Sequence, residues 1–309
     1  MQAQNKMFHI FLVAVTLVLA ACTAGAGPLR ERIAERRAAQ EQGALDEEAK
    51  SGGQAVLPTH TRVTRDVAYG RDKRQRFDVY RPAQASGAPV IFMVHGGGWA
   101  RGDKAARTVI ENKVAHWVPR GYVFISTNYR LVPDADPLEQ ARDVAQALAA
   151  AQDNAASWGG DRNKFVLMGH SAGAHLVALL AASPALAPQW RGAVLLDSAA
   201  LNVTDLMQEP HPHLYDRAFG SDSAYWGLAS PLQILDRARS PILAVCSTQR
   251  KTACTQAARF VAKAAALGTQ AAVLKQDLSH KDINQRLGEA GVYTDAVDAF
   301  LGTLFSPAR

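Results

Sequence analysis

Short, wholly apolar runs alternate along this chain with longer segments of helical periodicity. Val90-Ile91-Phe92-Met93-Val94 is apolar at every position, as expected of a strand buried on both faces of a sheet. Val123–Ile125, Phe165–Met168, Ala193–Leu196, Ile242–Val245 and Ala272–Leu274 repeat the pattern. Between two of them Leu138, Ala141, Val144, Ala145 and Leu148 make a one-sided stripe at helical spacing, and Leu176-Val177-Ala178-Leu179-Leu180 is apolar all round, which predicts a buried helix. Val63–Tyr69 and Gln75–Tyr80 read as two opening strands, with a turn at Gly70-Arg71-Asp72. Strand and helix in alternation predict right-handed crossovers and an α/β fold: a mostly parallel central sheet with helices on both faces. Residues 198–240, rich in Pro, His and aromatic residues, interrupt that rhythm and read as an insertion over the functional end of the sheet.

Length and charge add little to this picture; the N-terminus adds more. The 309 residues are 48% hydrophobic, enough for one large core. Part of the net charge of +6 is local: Arg62 to Arg81 holds seven basic residues against Asp66, Asp72 and Asp78, a net of +4. No nucleic-acid-binding motif accompanies it, so it reads as a solvated basic hairpin with no nucleic-acid partner. Lys6 precedes an apolar run from Ile10 to Ala21, too short to cross a bilayer of about 30 Å and suited to the core of a secretory signal. The run ends in Leu19-Ala20-Ala21-Cys22, which resembles the lipobox of bacterial lipoproteins. That resemblance implies a signal peptide over 1–21 and lipidation of Cys22. With Thr23 following, it implies export to the periplasmic face of a Gram-negative outer membrane. Residues 22–61 then form the anchor and a charged tether, and 62–309 the folded domain. Export leaves Cys246 and Cys254, eight residues apart, in an oxidising compartment where they can pair.

The chemistry gathers at two glycine-rich turns. Gly169-His170-Ser171-Ala172-Gly173 is a G-x-S-x-G sequence between an apolar strand and the buried helix, the setting of a nucleophile elbow with Ser171 at its tip. His95-Gly96-Gly97-Gly98-Trp99 follows the first central strand. Its consecutive glycines let backbone N–H groups converge on one point, so Gly97, Gly98 and the Ala172 amide are candidate oxyanion donors, with His95 bracing the loop. The base is expected after the last strand, where His280 stands. His175 reads as structural, and His170 as pocket wall or packing. His211 and His213 lack a third ligand, and no metal site is assigned. Trp99, Tyr215 and Trp226 are candidate pocket walls.

HGGGW at 95–99, NYRLVP at 128–133 and GHSAGAHL at 169–176 resemble the hormone-sensitive-lipase and feruloyl-esterase-like branch of the α/β-hydrolases, and HGGGW also fits the pattern of arylformamidases. The resemblance covers roughly residues 65–305. It implies the α/β-hydrolase fold and a serine hydrolase acting on small carboxylic esters, or on an amide such as an N-formyl arylamine, without metal or organic cofactor. It also implies an acid in the loop after Ile242–Val245, yet Ser247-Thr248-Gln249-Arg250-Lys251-Thr252 holds no carboxylate. Asp197, placed directly after four apolar residues, is the first replacement because burying an unpaired carboxylate is costly. Asp277 and Asp205 are the alternatives. A degraded triad would instead leave a non-catalytic, envelope-binding lipoprotein. Oligomeric state is not readable.

Overall fold

The computed structural model describes residues 55–183, 186–237 and 240–305, together with Arg32, Arg36 and Ala39, which are helical and exposed. The predicted signal peptide, Cys22 and most of the predicted tether lie outside the described residues. Eight strands form one sheet: β1 (Arg62–Ala68), β2 (Arg76–Arg81), β3 (Ala88–Val94), β4 (Val123–Thr127), β5 (Gly160–His170), β6 (Gly192–Leu196), β7 (Ile242–Ser247) and β8 (Ala271–Gln276). Their order is β1-β2-β4-β3-β5-β6-β7-β8. The β1–β2 and β2–β4 pairs are antiparallel, and every other pair is parallel.

The continuous apolar runs find their reason in this topology. Val90, Phe92 and Val94 of β3 face one core, while Ile91 and Met93 face a second core across the sheet. The first core is closed by α2 (Pro137–Asn154), α3 (Ala172–Ala182) and α8 (Lys251–Ala266). The second is closed by α1 (Arg107–Trp117), α9 (His280–Gln285) and α10 (Val292–Phe305). The α2 stripe is set by a capping box, in which Asp136 accepts from the Glu139 amide and the Glu139 carboxylate accepts from the Asp136 amide. Four short helices, α4 (Val203–Gln208), α5 (His213–Phe219), α6 (Ser223–Leu228) and α7 (Pro231–Ile234), make up the 198–240 insertion.

One predicted boundary needs correction. The tether was expected to run to residue 61, but Ala55 and Leu57 already pack against the second core, and the Val56 amide donates to Glu111 Oε1 at 2.9 Å. Their apolar side chains have a face to bury, which the charged stretch before them lacks. The packed domain therefore includes residues 55–61.

The glycines of the elbow are fixed by contact. A Cβ on Gly173 would meet the carbonyl oxygen of His95 at 2.5 Å and the backbone of Val94, so only glycine lets α3 approach the end of β3. Gly173→Ala should therefore lower stability by about 1–3 kcal/mol, measured by chemical denaturation. A variant as stable as the wild type would show that this approach is not tight.

Candidate active site

Four described non-glycine residues have positive φ: Asp66, Trp99, Ser171 and Asp197. The last three lie beyond the C-terminal ends of β3, β5 and β6, at one edge of the sheet. Backbone strain of this kind persists only where the surroundings impose it, and it gathers at functional sites. Ser171, at φ 55° and ψ −118°, is the N-cap of α3, and its amide donates to the carbonyl of Leu196 at 2.9 Å. That bond ties the elbow to the residue preceding Asp197.

Asp197 is almost wholly buried and accepts from three groups. Its Oδ1 takes the Ser247 amide at 2.8 Å, while Oδ2 lies 2.6 Å from both His280 Nδ1 and Arg250 Nη1. Burial alone would push this carboxyl up; the Arg250 guanidinium, His280 and the Ser247 amide overcome that and hold it well below the usual carboxylate range. His280 opens α9. Ser279 caps that helix, accepting from the Asp282 amide at 3.1 Å, and Lys113 of α1 donates to the carbonyl and side-chain oxygens of Asn284. The buried His170 ring lies 4.5 Å from the His280 ring, centroid to centroid, and its Nε2 donates to the His280 carbonyl at 3.0 Å. His170 thus packs against the proposed base and does not line a pocket wall.

The glycine loop rests against the elbow. A Cβ on Gly96 would stand 3.0 Å from the Ser171 Cβ. Gly97 and Gly98 have φ of 117° and 59°. Among the described residues, no backbone carbonyl accepts from the amides of Gly97, Gly98 or Ala172. Tyr129 braces the loop: its hydroxyl donates to the His95 carbonyl at 2.9 Å, and its ring stacks on that of His95. Asn128 ties down the exit, accepting from the Lys104 amide at 2.7 Å and donating to Asp103 at 2.9 Å. The NYRLVP motif thereby acquires a mechanical role that residue patterns alone did not supply.

Other candidates fall elsewhere. Trp99 and Tyr215 are buried with Phe219 and His175 in an aromatic cluster, a correction to their reading as pocket walls, because aromatic surface of that size is better packed than exposed. Trp226 is half-buried and donates from Nε1 to the Phe219 carbonyl at 3.2 Å. Leu214 of α5 packs over Gly98, so the insertion does reach the glycine loop. Asp277 is exposed and accepts from Thr248 and Gln249, and Asp205 pairs with Arg259; neither meets His280. His211 and His213 both contact the carboxylate of Asp216. Among the described residues no group of three His, Cys, Asp or Glu side chains could hold a metal ion. Cys246 and Cys254 form a disulfide with Cα atoms 5.1 Å apart. Arg250, inside that closed turn, is the contributor that sequence reasoning missed, since a loop arginine reads as solvated surface.

Three buried histidines make stability sensitive to acid. Burial lowers His95 and His175 from 6.5 to about 4 despite their backbone hydrogen bonds, and holds His170 well below its ordinary value. From pH 6.5 down toward 4 the unfolded chain binds protons that the folded chain refuses, so stability is lost as pH falls through that window. Urea midpoints measured from pH 7.5 to 4.5 should decline continuously below 6.5. A flat profile would mean that these rings take up protons in the folded state.

A family model described as BD-FAE matches residues 77–192, which contain both glycine turns but neither Asp197 nor His280. A probable isoprenylcysteine α-carbonyl methylesterase of Oryza sativa is 35% identical over 119 residues, covering 38% of this chain and 27% of that protein. Esterase LipQ of Mycobacterium tuberculosis is 34% identical over 188 residues, covering 55% of this chain and 44% of that one. The chain thus spans about a quarter of the first relative's length and less than half of the second's. Among solved structures, esterase B of Lactobacillus rhamnosis superposes with a TM-score of 0.66 at 18% identity, covering 90% of this chain and 94% of that one. An esterase of the archaeon Pyrobaculum calidifontis gives a TM-score of 0.65 at 20% identity, covering 90% and 97%. The chain has the α/β-hydrolase fold, and the BD-FAE match spans its glycine loop and its elbow.

Proposed function

We propose that this protein is a serine hydrolase of small carboxylic esters working through an acyl-enzyme. The observation that carries the reading is the buried Asp197–His280 pair at 2.6 Å, placed against the elbow that holds Ser171. Ser171 Oγ attacks the ester carbonyl as His280 Nε2 takes its proton. Asp197, accepting from Nδ1, fixes the tautomer that leaves Nε2 able to do so and stabilises the imidazolium that forms. The oxyanion is received by the amides of Gly97, Gly98 and Ala172, each such donor contributing about 3–4 kcal/mol in comparable sites. His280 then returns the proton to the leaving alcohol, and water releases the acid by the same steps in reverse. The ester-hydrolysing relatives support this choice of substrate class.

Hydrolysis of p-nitrophenyl esters tests the assignment. Ser171→Ala should abolish turnover, and Asp197→Asn should lower kcat by about 10³-fold or more. Asp277→Asn should stay within a factor of two of the wild type. An Asp197→Asn enzyme of normal rate, with Asp277→Asn inactive, would reverse the acid assignment.

The same reading includes export and a lipid anchor at Cys22, supported by the Leu19-Ala20-Ala21-Cys22 sequence. Labelled palmitate fed to an expressing Gram-negative cell should enter the protein and be lost in Cys22→Ser. Incorporation that survives the substitution would remove the anchor from that residue.

A further inference from the structure

Arg250 sits against the acid–base pair in a way that the triad chemistry does not require. Its Nη1 lies 2.6 Å from Asp197 Oδ2, 3.2 Å from the Asp197 carbonyl and 2.7 Å from His280 Nδ1. A guanidinium Nη1 carries two hydrogens. Those hydrogens face the two Asp197 oxygens, with His280 Nδ1 also within reach. Asp197 Oδ2, held by Arg250, also lies 2.6 Å from Nδ1 and can accept a hydrogen that Nδ1 bears. Nε2 is left with its lone pair, the form a general base needs.

The arginine is held there by its own turn. The disulfide closes the loop from Cys246 at the end of β7 to Cys254 in α8. Inside it the Ser247 amide donates to Asp197 Oδ1, and the Ser247 hydroxyl donates to the Leu278 carbonyl at 2.6 Å. Thr248 and Gln249 reach Asp277. One closed turn thus grips both the carboxylate and the segment that delivers His280.

We infer that Arg250 is a positioning residue of this site: it fixes the Asp197 carboxylate and, through it, holds His280 in the Nδ1–H form. The inference rests on the proposed roles of Ser171, His280 and Asp197. The charged and titratable groups around the ring are Asp197 beyond β6, Arg250 in the turn and His170 at the end of β5. Lys113 of α1 stands behind α9, and Asp277 and Asp282 flank His280 in its own segment. Tyr293 of α10 is kept neutral by burial and donates to the Ile283 carbonyl at 2.8 Å. Arg250 is the charged group in direct contact with both Asp197 Oδ2 and the ring nitrogen.

The test uses the full chain with ¹⁵N-labelled histidine, with His280→Gln assigning the His280 signals, and compares wild type, Arg250→Met and Arg250→Lys. In the wild type, Nδ1 should be the protonated nitrogen of neutral His280. In Arg250→Met neutral His280 should gain a measurable Nε2-protonated population, and Arg250→Lys should recover part of the wild-type tautomer balance. In the ester assay, Arg250→Met should lose tenfold or more in kcat with KM unchanged. An unchanged tautomer balance in Arg250→Met, or a wild-type ring protonated on Nε2, overturns the inference. A wild type unreactive toward a fluorophosphonate would instead strike at Ser171 as nucleophile. The NMR comparison would still decide what Arg250 does to the ring.

Discussion

The site is organised by the burial of one carboxylate. Asp197 ends an apolar strand in the middle of the sheet, where an ionised group without partners would cost several kcal/mol. Its charge is met by an imidazole from the C-terminal segment, a guanidinium from the turn after β7 and an amide of the same turn. The imidazole comes from the C-terminal segment, and the other two donors from the end of β7 and the turn that follows it. Satisfying the carboxylate therefore draws β6, β7 and α9 together, and the Ser171 amide bonded to Leu196 brings the elbow to the same place. Folding and site assembly share this one constraint.

The remaining contacts keep that arrangement rigid. Gly96 and Gly173 let the glycine loop and α3 meet at van der Waals limits, so neither can shift far without a clash. Tyr129 and Asn128 pin the loop from the side of β4, and the aromatic cluster around Trp99 fills the space beneath the insertion. His175 takes part as a neutral bridge: Nδ1 accepts from Trp99 and Nε2 donates to Ala229. A charged ring there would break one of the two bonds.

Much of this was legible in the residue pattern. The strands could be read because a parallel sheet covered on both faces demands unbroken apolar runs, as in Val90–Val94. Asp197 could be read because a carboxylate following Ala193–Leu196 makes no sense as filler. Less could be read where one side chain has two plausible environments. Arg250 looks like any surface arginine until folding lays the turn against Asp197. Trp99 and Tyr215 could equally line a cavity or fill a core, and packing chose the core. Ala55 and Leu57 were too few to signal that the domain begins before β1. The inward ring of His170 depends on where His280 arrives, which no local pattern contains.

The most direct measurement is a crystal structure of the protein after reaction with an alkyl phosphonate ester, an analogue of the tetrahedral intermediate. The expected result is phosphorus bonded to Ser171 Oγ, its phosphonyl oxygen about 3 Å from the amides of Gly97, Gly98 and Ala172, with His280 still paired to Asp197. Phosphorus on another residue, or an oxygen turned away from those amides, would contradict the assembly of nucleophile, base and oxyanion site at this edge of the sheet.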